Sequence, residues 1–291
     1  MSMNKINIVV VKDDDSLESA KKVNDIFLKL ERLRLKSLNP VEQVIFWCYT
    51  NHPNGLETDL LDIQIAPLSE ENYDNDPSFR KLDIIASPKF FEDKVIIIDI
   101  NTLPMDLAQE SIFSCVPHRG QTEELSSHYG LKDLTEEQIS NIEENKLPFI
   151  KIATDWQNEN KPSDAVIFCH GYDGYALMEH YKTEGNPNGL SFGEYIEEHF
   201  KGIVLKTAPG LFTTYFANDT DRNKELNPVW KTEVAEKYFP KYFEGFGSEE
   251  DDQYIYFGHE YKTLTRQCKW VRIDESKGSR HNDLFARLWL L

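Results

Sequence analysis

The run Asp164-Ala-Val-Ile-Phe-Cys-His-Gly171 places an imidazole where an apolar stretch gives way to glycine. A His at the end of a buried strand is fixed by the sheet, while the loop beyond it stays open to substrate. Gly171, Asp173 and Gly174 allow a turn that leaves the ring of His170 accessible. The plainer reading is a strand-end His bonded to a loop carbonyl. A second apolar run, Gly202–Thr207, ends at Ala208-Pro209-Gly210, so position 208 lies 38 residues beyond His170. A base at one strand end calls for a nucleophile at the next. Position 208 holds alanine, which has no lone pair with which to attack.

Other nucleophiles are less well placed. Cys169 adjoins His170, but strand alternation sends the two side chains to opposite faces, and Cys169 reads as core. Cys115 and His118 form a single pair without the second half of a zinc site. Cys268 lies between Arg266 and Lys269, which would favour its thiolate, yet a structural role is the simpler one. Gly189-Leu-Ser191-Phe-Gly193 has the spelling of a nucleophile elbow but precedes a strand, and Ser191 with Glu194 has the spacing of a helix capping box. No glycine-rich nucleotide loop of the usual patterns is present, so no cofactor and no metal are expected.

The pieces from about 148 to 215 resemble the caspase-like cysteine peptidases, closest in pattern to the cysteine protease domains of bacterial toxins. They are Val166-Ile-Phe-Cys-His170-Gly171, the crossover Gly189-Leu-Ser-Phe-Gly-Glu-Tyr-Ile-Glu-Glu-His199, and Gly202-Ile-Val-Leu-Lys-Thr-Ala208. The resemblance implies a strand ending in His-Gly, a helical crossover, and a neighbouring parallel strand ending in the nucleophilic Cys. It implies a His/Cys dyad with His170 as catalytic base, Ala208 at the nucleophile position and the Gly171 amide in an oxyanion hole. Ala208 then reflects a replaced cysteine, a natural pseudoenzyme or coincidence. A pocket with Asp173 and Asp219 would suit a basic residue before the cut, and one with Tyr172 an apolar residue; both stay open. The expected partner is a protein or peptide substrate. The alternative is a non-catalytic acidic binding, immunity or adaptor protein that captures a basic partner.

The elements that would position these residues follow from periodicity. Strands are expected at Ile6–Val11, Val44–Tyr49, Leu60–Ala66, Leu82–Ala86, Val95–Ile100, Phe149–Ala153, Ala165–Cys169, Ile203–Lys206, Tyr254–Phe257 and Lys269–Ile273. Helices are expected at Ser16–Ser37, Leu134–Asn145, Ser191–Phe200 and Trp230–Phe243. Unbroken apolar strands separated by helices predict an α/β fold: a central, mostly parallel sheet with helices on both faces, caspase-like in arrangement. The chain of 291 residues reads as one α/β domain, with a weak boundary between lobes 1–130 and 131–291.

A net charge of -18 disfavours nucleic acid, whose phosphates would be repelled over most of the surface. No apolar run approaches the roughly 20 residues of a membrane span. Four scattered cysteines suggest a reducing compartment. The expectation is a cytoplasmic protein, or a bacterial effector delivered into a host or target cell.

Overall fold

Ile6, Ile8, Val9 and Val10 are withdrawn from solvent in the first strand, β1 (Lys5–Val11). The computed structural model describes residues 5–36, 43–69, 73, 76–90, 93–104, 149–155, 161–170, 174–206, 212–216 and 270–274. Within them β1 is joined by β2 (Gln43–Tyr49), β3 (Gln64–Ala66), β4 (Lys94–Ile98), β6 (Phe149–Asp155), β7 (Lys161–His170) and β8 (Ile203–Lys206). These form a seven-stranded sheet in the order β3-β2-β1-β4-β7-β6-β8. A smaller sheet has the order β5-β10-β9, from β5 (Thr102–Pro104), β9 (Phe212–Phe216) and β10 (Trp270–Asp274).

Residues along each strand alternate between two covered faces, which explains the unbroken apolar runs. On one side lies α1 (Leu17–Lys36), whose Phe27 ring stands 4.9 Å from that of Phe46. Ser16 starts this helix by accepting the Ser19 amide at 3.1 Å. On the other side, Val9, Val95, Ile97, Ile150, Ile152 and Ile167 share a core with α3 (Lys81–Ile85), α4 (Tyr175–Glu184) and α5 (Phe192–His199). Helices thus cover both faces, and the α/β expectation with a mostly parallel sheet holds.

The caspase-like arrangement does not. β1 runs parallel to β2 and β4, and β6 runs parallel to β8, but β7 is antiparallel to both of its neighbours, β4 and β6. β7 and β8 are therefore neither adjacent nor parallel. On β6, Ile150 pairs with Cys169 and Val204, whereas Ile152 pairs with Ile167 and Lys206. As β8 advances along the sheet, β7 retreats. The end of β7 at His170 is level with the start of β8, not with its end.

Local readings are corrected as well. Leu82–Ala86 is not a strand. Asp76 accepts the Ser78 amide at 2.9 Å, Pro77 opens a 3₁₀ turn, and α3 follows. Its apolar residues Leu82, Ile84 and Ile85 are all buried, so no helical stripe shows in sequence. The stretch Leu60–Ala66 is divided: α2 (Thr58–Leu61) ends at Asp62, at a left-handed φ of 49°, and β3 begins two residues later. α5 forms as the spacing predicts: Ser191 accepts the Glu194 amide, and the Glu194 carboxylate accepts that of Ser191. The expected elements Leu134–Asn145, Trp230–Phe243 and Tyr254–Phe257 lie outside the described residues.

Candidate functional site

Six of the seven strands point the same way, so their carboxyl ends gather on one edge. β7 enters from that edge and leaves at the other. The order β3-β2-β1-β4 means that the chain turns one way from β1 to β2 and the other way to reach β4. Ligands of open α/β sheets bind in the crevice outside the strand ends where the order reverses, which here falls beyond β1 and β4.

β1 delivers Lys12 and Asp13 to this crevice. Lys12 is 1% exposed, and its ammonium donates to the carbonyls of Asp14 at 2.6 Å and His52 at 2.8 Å. This ties the turn after β1 to the turn after β2. Asp14 closes the turn onto α1, accepting from the Ser16 amide at 2.8 Å and the Ser19 hydroxyl at 2.6 Å. Partial burial pushes the Asp14 carboxyl up, but these hydrogen bonds and the Lys12 charge outweigh it, so it is held below the ordinary carboxylate value. Asp13 faces Arg80, with 3.8 Å from Oδ2 to Nε.

β4 delivers Asp99 and Asn101. The Asp99 carboxylate accepts the Asn101 amide at 2.9 Å, and its carbonyl accepts the Thr102 amide at 2.9 Å, which makes a tight turn into β5. The Asn101 side-chain oxygen accepts from the Lys22 ammonium of α1 at 3.2 Å. Thr102 is fully buried, and its Oγ1 is the one buried side-chain polar atom among the described residues that lacks a hydrogen-bond partner.

β7 contributes Asp164. Its carboxylate accepts from Lys81 at 2.5 Å and lies 3.7 Å from Arg272 of β10, and Lys81 also stands 3.8 Å from Asp99. Burial raises the Asp164 carboxyl, but the charges of Lys81 and Arg272 and the hydrogen bond from Lys81 reverse that and hold it below the ordinary value. Lys81, Asp99, Asp164 and Arg272 thus form one network of balanced charge where the two sheets meet.

Of the residues expected to form the dyad, only His170 lies among the described residues. The His170 backbone pairs with Lys94, the first residue of β4, so it lies at the edge opposite Asp99. Ala208, Gly171, Tyr172, Asp173 and Asp219 lie outside the described residues, as do Cys115, His118 and Cys268. Cys169 is buried in the core, as read. Cys48 is buried too, and burial pushes its thiol up to about 12, which disqualifies it as a nucleophile. The sequence reading missed Asp99 by extending the strand to Ile100. An ionisable residue inside an otherwise fully buried strand was the available signal.

The architecture is the GT-A-like, Rossmann-type fold of glycosyltransferases. It matches a solved structure of an active-site mutant of LgtC with a TM-score of 0.50 and 11% identity, over 97% of this chain and 94% of that one. The galactosyltransferase LgtC in complex with donor and acceptor sugar analogues gives 0.48 at 11% identity, over 97% and 96% of the two chains. A glycosyltransferase involved in glycosylation of the major capsid of PBCV-1 gives 0.47 at 12% identity, over 98% and 99%. The shared fold rests on the first of these. No family model matches the sequence, and no curated protein matches it.

This fold overturns the cysteine-peptidase resemblance, since the parallel strand pair it requires is absent. The peptide substrate and the toxin or effector role fall with it, and the acidic adaptor alternative gives way to the transferase reading below. Among the described residues, no helix is long and apolar enough to cross a membrane, and no group of three His, Cys, Asp or Glu side chains is placed to hold a metal ion.

Proposed function

We propose that the protein is a glycosyltransferase that moves a sugar from a nucleotide-sugar donor to an acceptor hydroxyl at the carboxyl edge of the parallel strands. The observation that carries this reading is the reversal of strand order between β1 and β4, with Asp13, Asp99 and Asn101 just beyond their carboxyl ends, within a fold shared with LgtC. In such a transfer the bond from the anomeric carbon to the diphosphate breaks, and a bond to the acceptor oxygen forms. The hydroxyl proton leaves to a base or to solvent. The rate depends on stabilising the departing diphosphate.

Around Asp99 the charges of Lys81 and Arg272 are balanced by Asp99 and Asp164, while the Lys12 and Lys22 ammonium groups donate to oxygens of the neighbouring turns. Hard oxygen donors at a strand end suit a divalent cation that also binds substrate phosphates. Asp99 is a donor of this kind, but the Asn101 side-chain oxygen is held by Lys22, and among the described residues no group of three carboxylate, imidazole or thiol side chains is placed to hold a metal ion, so these residues alone do not make a cation site. Asp99 and Asn101 would fix the turn into β5 at the edge of the site, and the Lys12 bonds would keep the turn after β1 in place.

The test is direct. The purified protein is titrated with a panel of nucleotide sugars by calorimetry in the presence of Mn²⁺ or Mg²⁺. Nucleoside diphosphate release is then followed with simple sugars as acceptors. Binding of a donor with slow hydrolysis or transfer supports the reading. Failure to bind any donor or nucleoside diphosphate rules it out.

A further inference from the structure

A cavity of about 780 Å³ lies over α4 and the end of α5. Its floor is fixed. The rings of His180 and His199 stack at 4.3 Å with 21° between their planes, and His180 Nδ1 is hydrogen-bonded to the hydroxyl of buried Tyr195 at 2.7 Å. One wall is the turn between the two helices. The Asn186 side chain donates to the Leu190 carbonyl at 2.8 Å and accepts the Leu190 amide at 3.0 Å, and the Gly189 amide donates to the Asn186 carbonyl at 3.1 Å. Gly185 and Gly189 take φ values of 66° and 63°, which this turn requires and which glycine adopts freely. The cavity is thus formed before any ligand arrives, as small-molecule sites generally are. His199 and Lys201 lead into β8, whose first residue, Ile203, pairs with Phe149 at the start of β6. This end of the cavity therefore lies toward the edge of the sheet opposite Asp99.

We propose that this cavity is a second binding site, for a short neutral oligosaccharide. Its lining mixes chemistries rather than favouring one. Glu179 is paired with Lys182 at 3.6 Å, which leaves the Glu184 carboxylate and the Lys201 ammonium as opposed charges. A small anion or cation would meet its own sign on one of them. An apolar ligand would strip water from Glu184, Lys201 and the Asn188 amide without replacing its hydrogen bonds. Sugar hydroxyls both donate and accept, so they suit a carboxylate, an ammonium and an amide together. A pyranose also has a C–H face, which packs on the electron-rich face of an aromatic ring. Tyr175 lines the cavity, is 45% exposed and supplies that ring. The volume lies toward the upper end of the range of about 300–1,000 Å³ for small-molecule pockets, so it admits more than a single sugar ring. The site stands apart from the crevice and does not depend on the transfer proposed there. Its use would be to anchor a glycan at a distance from the crevice.

The experiment is a titration of the full chain with lactose, maltotriose and cellotriose, read by saturation-transfer NMR of the sugar and by calorimetry. At least one of them is expected to bind saturably. Tyr175→Ala and Glu184→Ala are each expected to weaken that binding about 10-fold, through loss of a stacking face and of a hydrogen bond to a charged group. Tyr175→Phe, which keeps the ring, retains it. Tyr175 and Glu184 are exposed, so these variants keep the fold, which thermal melting checks. Absence of binding by all three sugars overturns the proposal. So does wild-type affinity in the two alanine variants, because the sugar then sits elsewhere. So does tighter binding of inorganic phosphate or spermidine that the same variants abolish, because the cavity is then an ionic site. Donor binding at the crevice is followed separately with nucleotide sugars, so a failure at either site leaves the other standing.

Discussion

The backbone amide of Asp99 donates to the carbonyl of Ala165 at 2.9 Å. That bond continues the antiparallel ladder in which Ile98 pairs with Val166. It brings the carboxyl end of a parallel strand beside the entry of the one reversed strand. Asp164 is thereby set next to Asp99, and Lys81 of α3 reaches both. The charged crevice is thus a product of strand direction.

Replacing Asp99 with Ala is expected to lower kcat for sugar transfer by about 100-fold, because the turn at the end of β4 loses the carboxylate that holds its geometry at the proposed site. The melting temperature should fall as well, since the Asp99 carboxylate accepts the Asn101 amide and faces the buried Lys81 ammonium. Measured nucleoside diphosphate release that survives in this variant would remove Asp99 from the site.

His170→Ala is expected to leave transferase activity unchanged. Its backbone lies against Lys94, at the far edge from Asp99. Installing Cys at position 208 should confer no cleavage of peptide substrates. A peptidase that depends on both residues would contradict the strand directions.

Breaking the Lys81–Asp164 pair by Asp164→Asn should cost stability, by about 3–5 kcal/mol, because a buried ammonium loses its ionic partner. Urea unfolding checks this. The folded Asp164 carboxyl lies below its unfolded value of 3.8, so its contribution is present above that pH and is lost as pH falls through the folded value. The wild-type advantage over the variant should therefore shrink under acid. An advantage that grows on acidification contradicts the assignment.

Asp25 on α1 behaves in the opposite sense. Burial pushes its carboxyl up to about 6, aided by Glu57 and opposed by Lys21. The folded state then holds a proton that the unfolded state has released, so stability falls as pH rises from about 4 to about 6. Asp25→Asn should raise the melting temperature at pH 7 and flatten its dependence across that window. Equal melting curves for the two proteins at every pH would refute this.

Gly193→Ala tests the seating of α5 on β7. A methyl group there would stand 2.7 Å from the Pro162 carbonyl oxygen, a backbone atom that cannot turn aside. A loss of about 1–3 kcal/mol is expected from overpacking, measured by chemical denaturation. An unperturbed variant would mean that the helix can lift without penalty.

Much of the local structure was legible in the residues. Leu17, Ala20, Val23, Phe27, Leu30 and Leu33 specify α1 by their spacing, and Ser191 with Glu194 specifies the start of α5. The apolar runs at β1, β4 and β7 specify strands covered on both faces. Where the pattern was uniformly apolar, as at Leu82–Ile85, it did not separate helix from strand, because a segment buried on all sides shows neither period.

The sequence by itself therefore determined the α/β class, the places of most strands of the large sheet and of α1 and α5, and the caps of those helices, since these depend on neighbours a few residues apart, whereas α3 and α4 did not show in it. It could not determine which way β7 runs. Val166-Ile-Phe-Cys169 is equally apolar in either direction, and parallel and antiparallel ladders bury the same side chains. Only the tertiary structure decided that β7 is reversed, which carries His170 to one edge and leaves Asp164 at the other. The contact of Lys81 with Asp164 and Asp99 depends on that choice, because residues remote in sequence become neighbours only through strand order and direction.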